Sequence, residues 1–340
     1  MNLSHNLNTI FGKTVSSLLP RFINVHGKQR LSILIYHRVL AHHDGLLSTT
    51  LVREDFDWHM EVLARFFNPL SLSEALLMMD EERLPERAVC VTFDDGYADN
   101  ESVALPILNK WRVPATVFVA SGFLEGGRMW NDTVIEGVRA LAGKSLDLRE
   151  QGLGFYNLST LESQQLAIVD ILRAIKHWAP NDRSRAVDSL GEQAGKLPTN
   201  LMLTKQQLLN LSHQGVEIGG HTVTHPILAA LDDVPAKMEI NQNKLHLEEI
   251  LDKPVRFFAY PNGRLGTDYT LIHREIVKQA GYKAAVSTHR GVVSAGSDRW
   301  QMARFTPWDK TPQRFLIRLL LNSRQLVSAP ESTLPVSSSQ

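Results

Sequence analysis

Two carboxylates stand side by side at Asp94-Asp95, and two imidazoles stand four residues apart at His221 and His225. Adjacent carboxylates repel, and burying them is costly unless a cation or a proton compensates. On a helical turn the His-x-x-x-His spacing puts both imidazoles on one face, able to grip one ion. That spacing is weak alone; it gains from Gly219-Gly220 before it, Pro226 after it and a strand end just upstream. Two histidines and one carboxylate form a donor set for zinc or a related divalent ion, with positions left open for water and substrate. One Asp of the pair serves that ion. The other is then free to act as general base on water, whose pKa the ion lowers toward about 7. The competing reading of the pair is an Asx-type turn capping a helix that starts near Asp99.

Strands must deliver these groups. Val89–Phe93 is apolar and β-branched, reads as a buried strand, and ends in the Asp pair, after which Gly96 lets the chain turn sharply. Leu31–Tyr36 reads the same way and ends in His37-Arg38. Phe56, Met60, Leu63 and Phe67 share one face of a helix over Asp55–Phe67, and Ser73 is the candidate cap of the next helix. Asn100–Trp111 reads as a helix bent at Pro106, and Pro114–Ala120 as a strand. From about 122 to 203 the pattern is helical with no convincing strand, so an α-helical insertion is expected. The α/β alternation then resumes with strands at Val216–Ile218, Val255–Ala259, Lys283–Ser287 and Met302–Phe305. Helices are expected at Thr204–Leu211, Asp232–Leu251, Tyr269–Ala280 and Pro312–Leu321.

Such repetition implies a parallel sheet or an α/β barrel. Polar groups fall at the carboxyl ends of four strands: His37, Asp94-Asp95, His221/His225 and Tyr260-Pro261-Asn262. A barrel builds its site on that one face, whereas an open doubly wound sheet gathers ligands mainly at one switch point. Four contributing strands favour the barrel.

Lys+Arg and Asp+Glu are both 36 in 340 residues, so no global field draws the chain to nucleic acid, and no such partner is expected. Cys90, the only cysteine, excludes an intrachain disulfide and a cysteine-based zinc site. Residues 1–30 lack the uninterrupted apolar region of a secretion signal, so a cytoplasmic location is expected. Leu7, Ile10, Phe11, Val15, Leu18, Leu19 and Phe22 nevertheless recur at helical spacing. Residues 7–22 therefore read either as a peripheral contact with the inner membrane or as a helix docked on the protein's own surface. Residues 324–340, rich in Ser and Pro, read as a disordered tail.

Thr92-Phe93-Asp94-Asp95-Gly96-Tyr97 with His221-Thr222-x-x-His225 resembles the polysaccharide deacetylase family, also called the NodB-homology or carbohydrate esterase 4 family. The resemblance covers about residues 30–120 and 204–305 and implies a distorted (β/α) barrel over 31–323, interrupted by the insertion. It implies removal of N-acetyl groups from N-acetylhexosamine residues of a polysaccharide or oligosaccharide. It makes Asp94 the general base and Asp95, His221 and His225 the ligands of one divalent ion, zinc first, with cobalt or nickel as alternatives. The backbone N–H of Tyr97 would join the ion in stabilising the oxyanion.

Two departures stand out. The family's third motif carries an Arg that orients the base; here Phe258-Ala259-Tyr260-Pro261-Asn262-Gly263 puts Ala259 in its place. Arg256, three steps back, belongs to the opposite strand face. Arg304 is the candidate substitute, the alternative being a surface arginine at a strand edge. The family's late Leu-x-His motif, which supplies a general acid, is also missing. Tyr36-His37 resembles instead the permuted arrangement of exopolysaccharide deacetylases, so His37 is assigned to protonate the leaving amine. A core histidine is the alternative, and His289 a weaker candidate acid. Tyr260, Pro261, Asn262 and Trp300 are candidate substrate contacts, Tyr260 and Trp300 as sugar-stacking walls, although core packing explains those two rings equally well. The same site would serve an amidase for a small non-sugar amide. A sugar-binding protein with an inactive site is the third reading, and the missing third-motif Arg is its main support.

Overall fold

The computed structural model describes residues 29–323. The amphipathic stretch 7–22 and the tail 324–340 lie outside the described residues. After β1 (Arg30–Tyr36) come α1 (Arg53–Phe66), β2 (Asn68–Pro69), α2 (Leu72–Asp80), β3 (Ala88–Phe93), α3 (Leu105–Trp111) and β4 (Ala115–Val119). The insertion supplies α4 (Trp130–Ala140), β5 (Ser145–Asp147), β6 (Phe155–Asn157), α5 (Leu161–Ile175) and α6 (Pro180–Ala194). Then follow α7 (Lys205–His213), β7 (Glu217–Gly220), α8 (Asp233–Leu251), β8 (Phe257–Ala259), α9 (Leu271–Gln279), β9 (Ala284–Arg290), β10 (Val293–Ser294), β11 (Met302–Arg304) and α10 (Pro312–Asn322).

The main sheet runs β10-β1-β3-β4-β7-β8-β9-β11, with β2 also beside β3. Its pairs are parallel except β10 on β1. Just past β11, the Phe305 N–H donates to Ile33 O at 2.7 Å and the Ile35 N–H to Phe305 O at 3.1 Å. These two bonds join the last strand to the first and bring the sheet to a nearly closed barrel.

Strand parity sorts the side chains into two layers. Leu31, Ile33, Cys90, Phe118, Phe257, Val286 and Met302 form one buried cluster with Leu72, Leu76 and Met79 of α2, which plugs the amino-terminal mouth. Leu34, Tyr36, Val89, Val91 and Phe93 take the other face, against Phe56, Met60 and Leu63 of α1. The parity that puts Cys90 and Met302 inside the barrel carries Thr92, Asp94 and Arg304 to the same inner face, toward its carboxyl-terminal mouth.

Several expectations change. Ser71, not Ser73, caps α2: its Oγ accepts from Glu74 N at 3.2 Å while Glu74 Oε2 accepts from Ser71 N at 3.0 Å. Ser-x-x-Glu is a capping box, and the register of that pair decides the cap. The helix expected over Asn100–Trp111 is continuous, but it begins as a π-helical turn at Asn100–Ala104 that runs directly into α3, placing the wider turn just ahead of Pro106, which cannot donate a backbone N–H to it. The insertion is not wholly helical. β5 and β6 pair antiparallel, but at three residues each they are too short to show a period of two. Val134, Val138, Leu146, Leu158, Ile171 and Leu190 give the insertion a core of its own.

Candidate active site

Asp94 and Asp95 lie immediately past β3, where Gly96 takes a φ of +87° that a side chain would resist. The Asp94 amide donates to Tyr36 O at 2.9 Å, which ties the turn to β1. The Asp94 carboxylate is buried and meets Arg304 in a two-pronged pair, Nη1 to Oδ1 at 2.8 Å and Nη2 to Oδ2 at 2.7 Å. Arg304 Nε donates to Ser287 O at 2.8 Å and Nη1 also reaches Thr92 Oγ1 at 3.2 Å, so the fork has one orientation. Burial alone would raise the Asp94 pKa. The Arg304 guanidinium outweighs burial, with help from His221 and His37, and holds the carboxyl below its usual range. No helix is capped by this pair, so the Asx-turn reading falls.

Asp95 turns the other way, with its own backbone at φ +77°. Its Oδ1 lies 3.3 Å from His221 Nε2 and 3.3 Å from His225 Nε2. Burial would raise its pKa, but the His221 hydrogen bond and the charges of His225, His37 and His221 pull it far below the ordinary value. His221 Nδ1 donates to Ala259 O at 2.7 Å. A carbonyl can only accept, so Nδ1 carries a proton. Burial would lower the His221 pKa, but the hydrogen bond to Asp95 and the charges of Asp94 and Asp95 raise it, so Nε2 donates to Asp95 and would give up that proton to an ion bound in its place. Burial lowers the His225 pKa to about 4, the state a ligand needs.

The expected helical turn is absent: residues 221–227 form a loop, with Thr222 at φ +65° and His225 at φ +55°. Each such residue costs on the order of 1 kcal/mol, and α8 offsets it. Glu239 Oε2 accepts from Val223 N and Thr224 N at 2.8 and 2.9 Å, and its Oε1 from Thr224 Oγ1 at 2.7 Å. Asn243, one turn later, accepts from His221 N at 3.0 Å and donates to Val119 O and Thr222 O. A Cβ at Gly220 would collide with Tyr282 Oη and lie 2.5 Å from Asn243 Oδ1, so Gly220 makes room for this clamp.

The ligand atoms of Asp95, His221 and His225 all lie within 4.8 Å of one another. Ligands about 2.1 Å from a tetrahedral ion stand about 3.4 Å apart. The two 3.3 Å separations, and the Nδ1–H of His221 anchored on Ala259 O so that Nε2 faces the cluster, therefore fit one divalent ion.

His37 is exposed at the end of β1, its backbone oxygen accepting from Asn100 Nδ2 at 2.8 Å. Its charge acts on both Asp94 and Asp95. Tyr97 is buried under the Arg38 guanidinium, 4.6 Å from its ring centre. Pro261 is buried and Asn262, at φ +59°, accepts from Thr288 Oγ1 at 2.7 Å through its backbone oxygen.

Two aromatic expectations do not hold. The Tyr260 ring is fully buried, stacked on Tyr269 at 3.9 Å, and its hydroxyl donates to Trp300 O. Trp300 precedes β11, at the amino-terminal end of the strands, and packs near Arg274 and Lys278 of α9. Core packing accounts for both rings.

Glu239, Asn243 and Asp132 escaped notice in the sequence. The first two are a polar i, i+4 pair within a long helix, a pattern that usually faces solvent. Asp132, in α4, accepts from Tyr97 Oη at 2.9 Å and from Met129 N at 3.0 Å. Burial raises its pKa to about 6. The folded chain thus binds this proton more tightly than the unfolded chain, so the stability it gives is complete below about pH 4 and is lost as pH rises through about 6. Asp132→Asn is expected to unfold at higher urea than wild type at pH 8, by about 2–3 kcal/mol, with the gap closing by pH 4. Equal urea midpoints across that range would contradict it.

Residues 81–285 match the family model for polysaccharide deacetylase. The Bacillus subtilis (strain 168) protein YxkH, whose name places it among polysaccharide deacetylases, is 22% identical over 285 residues, spanning 83% of this chain and 73% of that protein. The Streptococcus pyogenes deacetylase PplD in complex with acetate aligns at a TM-score of 0.59 and 19% identity, covering 86% of this chain and 99% of that one. A de-N-acetylase from Aggregatibacter actinomycetemcomitans gives 0.57 at 17% identity, covering 84% and 99%. IcaB from Ammonifex degensii gives 0.55 at 19% identity, covering 87% and 98%. The structural likenesses show the fold, a distorted (β/α) barrel of the NodB type. With a family match over more than half its length, this chain belongs to the polysaccharide deacetylase family and is a deacetylase.

Proposed function

We propose that the protein is a metal-dependent hydrolase that removes N-acetyl groups from N-acetylhexosamine residues of a polysaccharide. The observation that carries this is the split of the Asp pair: Asp94 is locked to Arg304, while Asp95 faces two histidines. One carboxylate is thereby kept ionised as a base and the other is offered as a ligand. A divalent ion at Asp95, His221 and His225, zinc by donor type with cobalt or nickel as substitutes, would supply a Lewis acid that acidifies water and polarises the acetyl carbonyl.

Asp94 takes the proton of the attacking water as its oxygen adds to that carbonyl. The Tyr97 amide donates to the oxygen that gains charge. His37 protonates the nitrogen as the C–N bond breaks, leaving acetate and a free amine. Arg304 keeps Asp94 charged and aimed. The inactive-binder reading leaned on a missing arginine, and Arg304 now stands beside the base. The position of Tyr36-His37 on β1 supports an exopolysaccharide as the polymer. The names of two fold relatives, a de-N-acetylase and a deacetylase holding acetate, agree with N-acetyl hydrolysis.

The purified protein, chelated and then given zinc or cobalt, is expected to release acetate from N-acetylglucosamine oligomers, with chelation lowering the rate at least about 100-fold. Full activity after chelation would remove metal dependence. Release from small non-sugar amides alone would favour an amidase.

A further inference from the structure

Residues 96–98 touch the insertion at both of its ends. Leu203 N donates to Gly96 O at 2.9 Å and Ala98 N donates to Leu201 O at 2.8 Å. Tyr97 thus faces Met202 in an antiparallel bridge whose bonds run through its two neighbours. In that arrangement the central residue's own N–H points away from the partner chain. Among the described residues, the Tyr97 N–H has no backbone or side-chain acceptor, while its carbonyl accepts from Asn100 N at 3.0 Å. The other end of the insertion holds the same residue by its side chain. Asp132 accepts from the Tyr97 hydroxyl at 2.9 Å and is itself fixed by Met129 N at 3.0 Å. Tyr97, Met129 and Met202 share a small apolar cluster with Ala120.

We propose that the insertion over residues 122–203 is the positioning element of the Tyr97 amide, gripping it through Leu201–Leu203 on one side and Asp132 on the other. This rests on the deacetylase reading, in which that amide serves the oxyanion. The insertion is then a part of the catalytic apparatus and not an appendage to the barrel. Asp132 is a positioning residue: it acts on the reacting atoms only through Tyr97. A donor displaced from the oxyanion loses most of its worth, because its benefit depends on being in place before charge develops.

The test compares Asp132→Ala, Asp132→Asn and Tyr97→Phe in the full chain. Asparagine can still bond both partners, accepting from Met129 N and donating to the Tyr97 hydroxyl; alanine bonds neither. For Asp132→Ala and Tyr97→Phe, kcat on N-acetylglucosamine oligomers is expected to fall about 10- to 100-fold with KM within about twofold. Asp132→Asn is expected to restore kcat. Hydrogen exchange should quicken at residues 96–98 in Asp132→Ala while the amides of α4 stay protected. Unchanged kcat and unchanged exchange at 96–98 in Asp132→Ala would overturn the proposal. So would equal loss of protection across α4, which marks a merely structural residue. If the wild type releases no acetate, the deacetylase reading fails by itself, and the exchange comparison still decides whether the insertion holds Tyr97.

Discussion

Asp94→Asn lowers the rate of acetate release by roughly 10³-fold, within the range that general-base catalysis supplies. The substitution preserves volume and leaves the side-chain oxygen free to accept from Arg304. It removes the ability to take a proton and also the charge and second acceptor that Arg304 meets, so a loss of stability is expected beside the loss of rate. Because the proposed ligand set is Asp95, His221 and His225, divalent-metal content per chain is expected to stay at the wild-type level. Burial of the replaced side chain keeps bulk water from standing in as base. The measurement pairs steady-state acetate release with metal analysis of the same sample. A variant retaining more than about a tenth of the wild-type rate would take the base role from Asp94, and one that loses its bound metal would make Asp94 a ligand.

Arg304→Ala costs both stability and activity, and by more than any surface arginine could. Arg304 and Asp94 are 0% and 4% exposed at the side chain, and removing one partner of so buried a pair leaves a carboxylate with no compensating charge. The expected loss is about 3–5 kcal/mol, read as a shift of the urea midpoint. Arg304→Lys recovers little of it. An ammonium is a single point charge and cannot serve Asp94 Oδ1, Asp94 Oδ2, Thr92 Oγ1 and Ser287 O from a planar fork. The folded fraction of either variant turns over slowly, since its base is neither aimed nor held charged. A near-wild-type urea midpoint for Arg304→Ala would mean that the pair contributes geometry without net stability.

The residues of the site were legible because their chemistry is compressed into short runs. Asp94-Asp95 follows an apolar strand, and strand parity carries Thr92 and Asp94 to one face. The same parity pointed away from Arg256, which is exposed, while Arg304 was a candidate substitute whose face only the folded sheet fixes. What was not legible depends on contacts between distant segments. Nothing in the local pattern of α8 says that Glu239 and Asn243 turn inward to hold a strained loop. His-x-x-x-His is a helical spacing by habit, and only the tertiary clamp makes a loop of it. Trp300 was misread because an aromatic beside a site residue in sequence can lie at the far end of a strand, as the backbone between Trp300 and Arg304 does here. Tyr260 was misread for the opposite reason: it follows a strand at the correct end, but its ring turns into the core.

The closure of the barrel has a consequence for how the protein is made. Asp94 and Arg304 are 210 residues apart in the chain, and Arg304 lies just before the two bonds that join β11 to β1. At roughly 5–20 residues per second, a ribosome delivers Arg304 about 10–40 s after Asp94. Through that interval β3 carries a carboxylate whose partner does not yet exist, and enclosing it would bury an unpaired charge. The nascent barrel is therefore held open on its last side until β11 emerges, and hydrolytic competence arrives with the final strand.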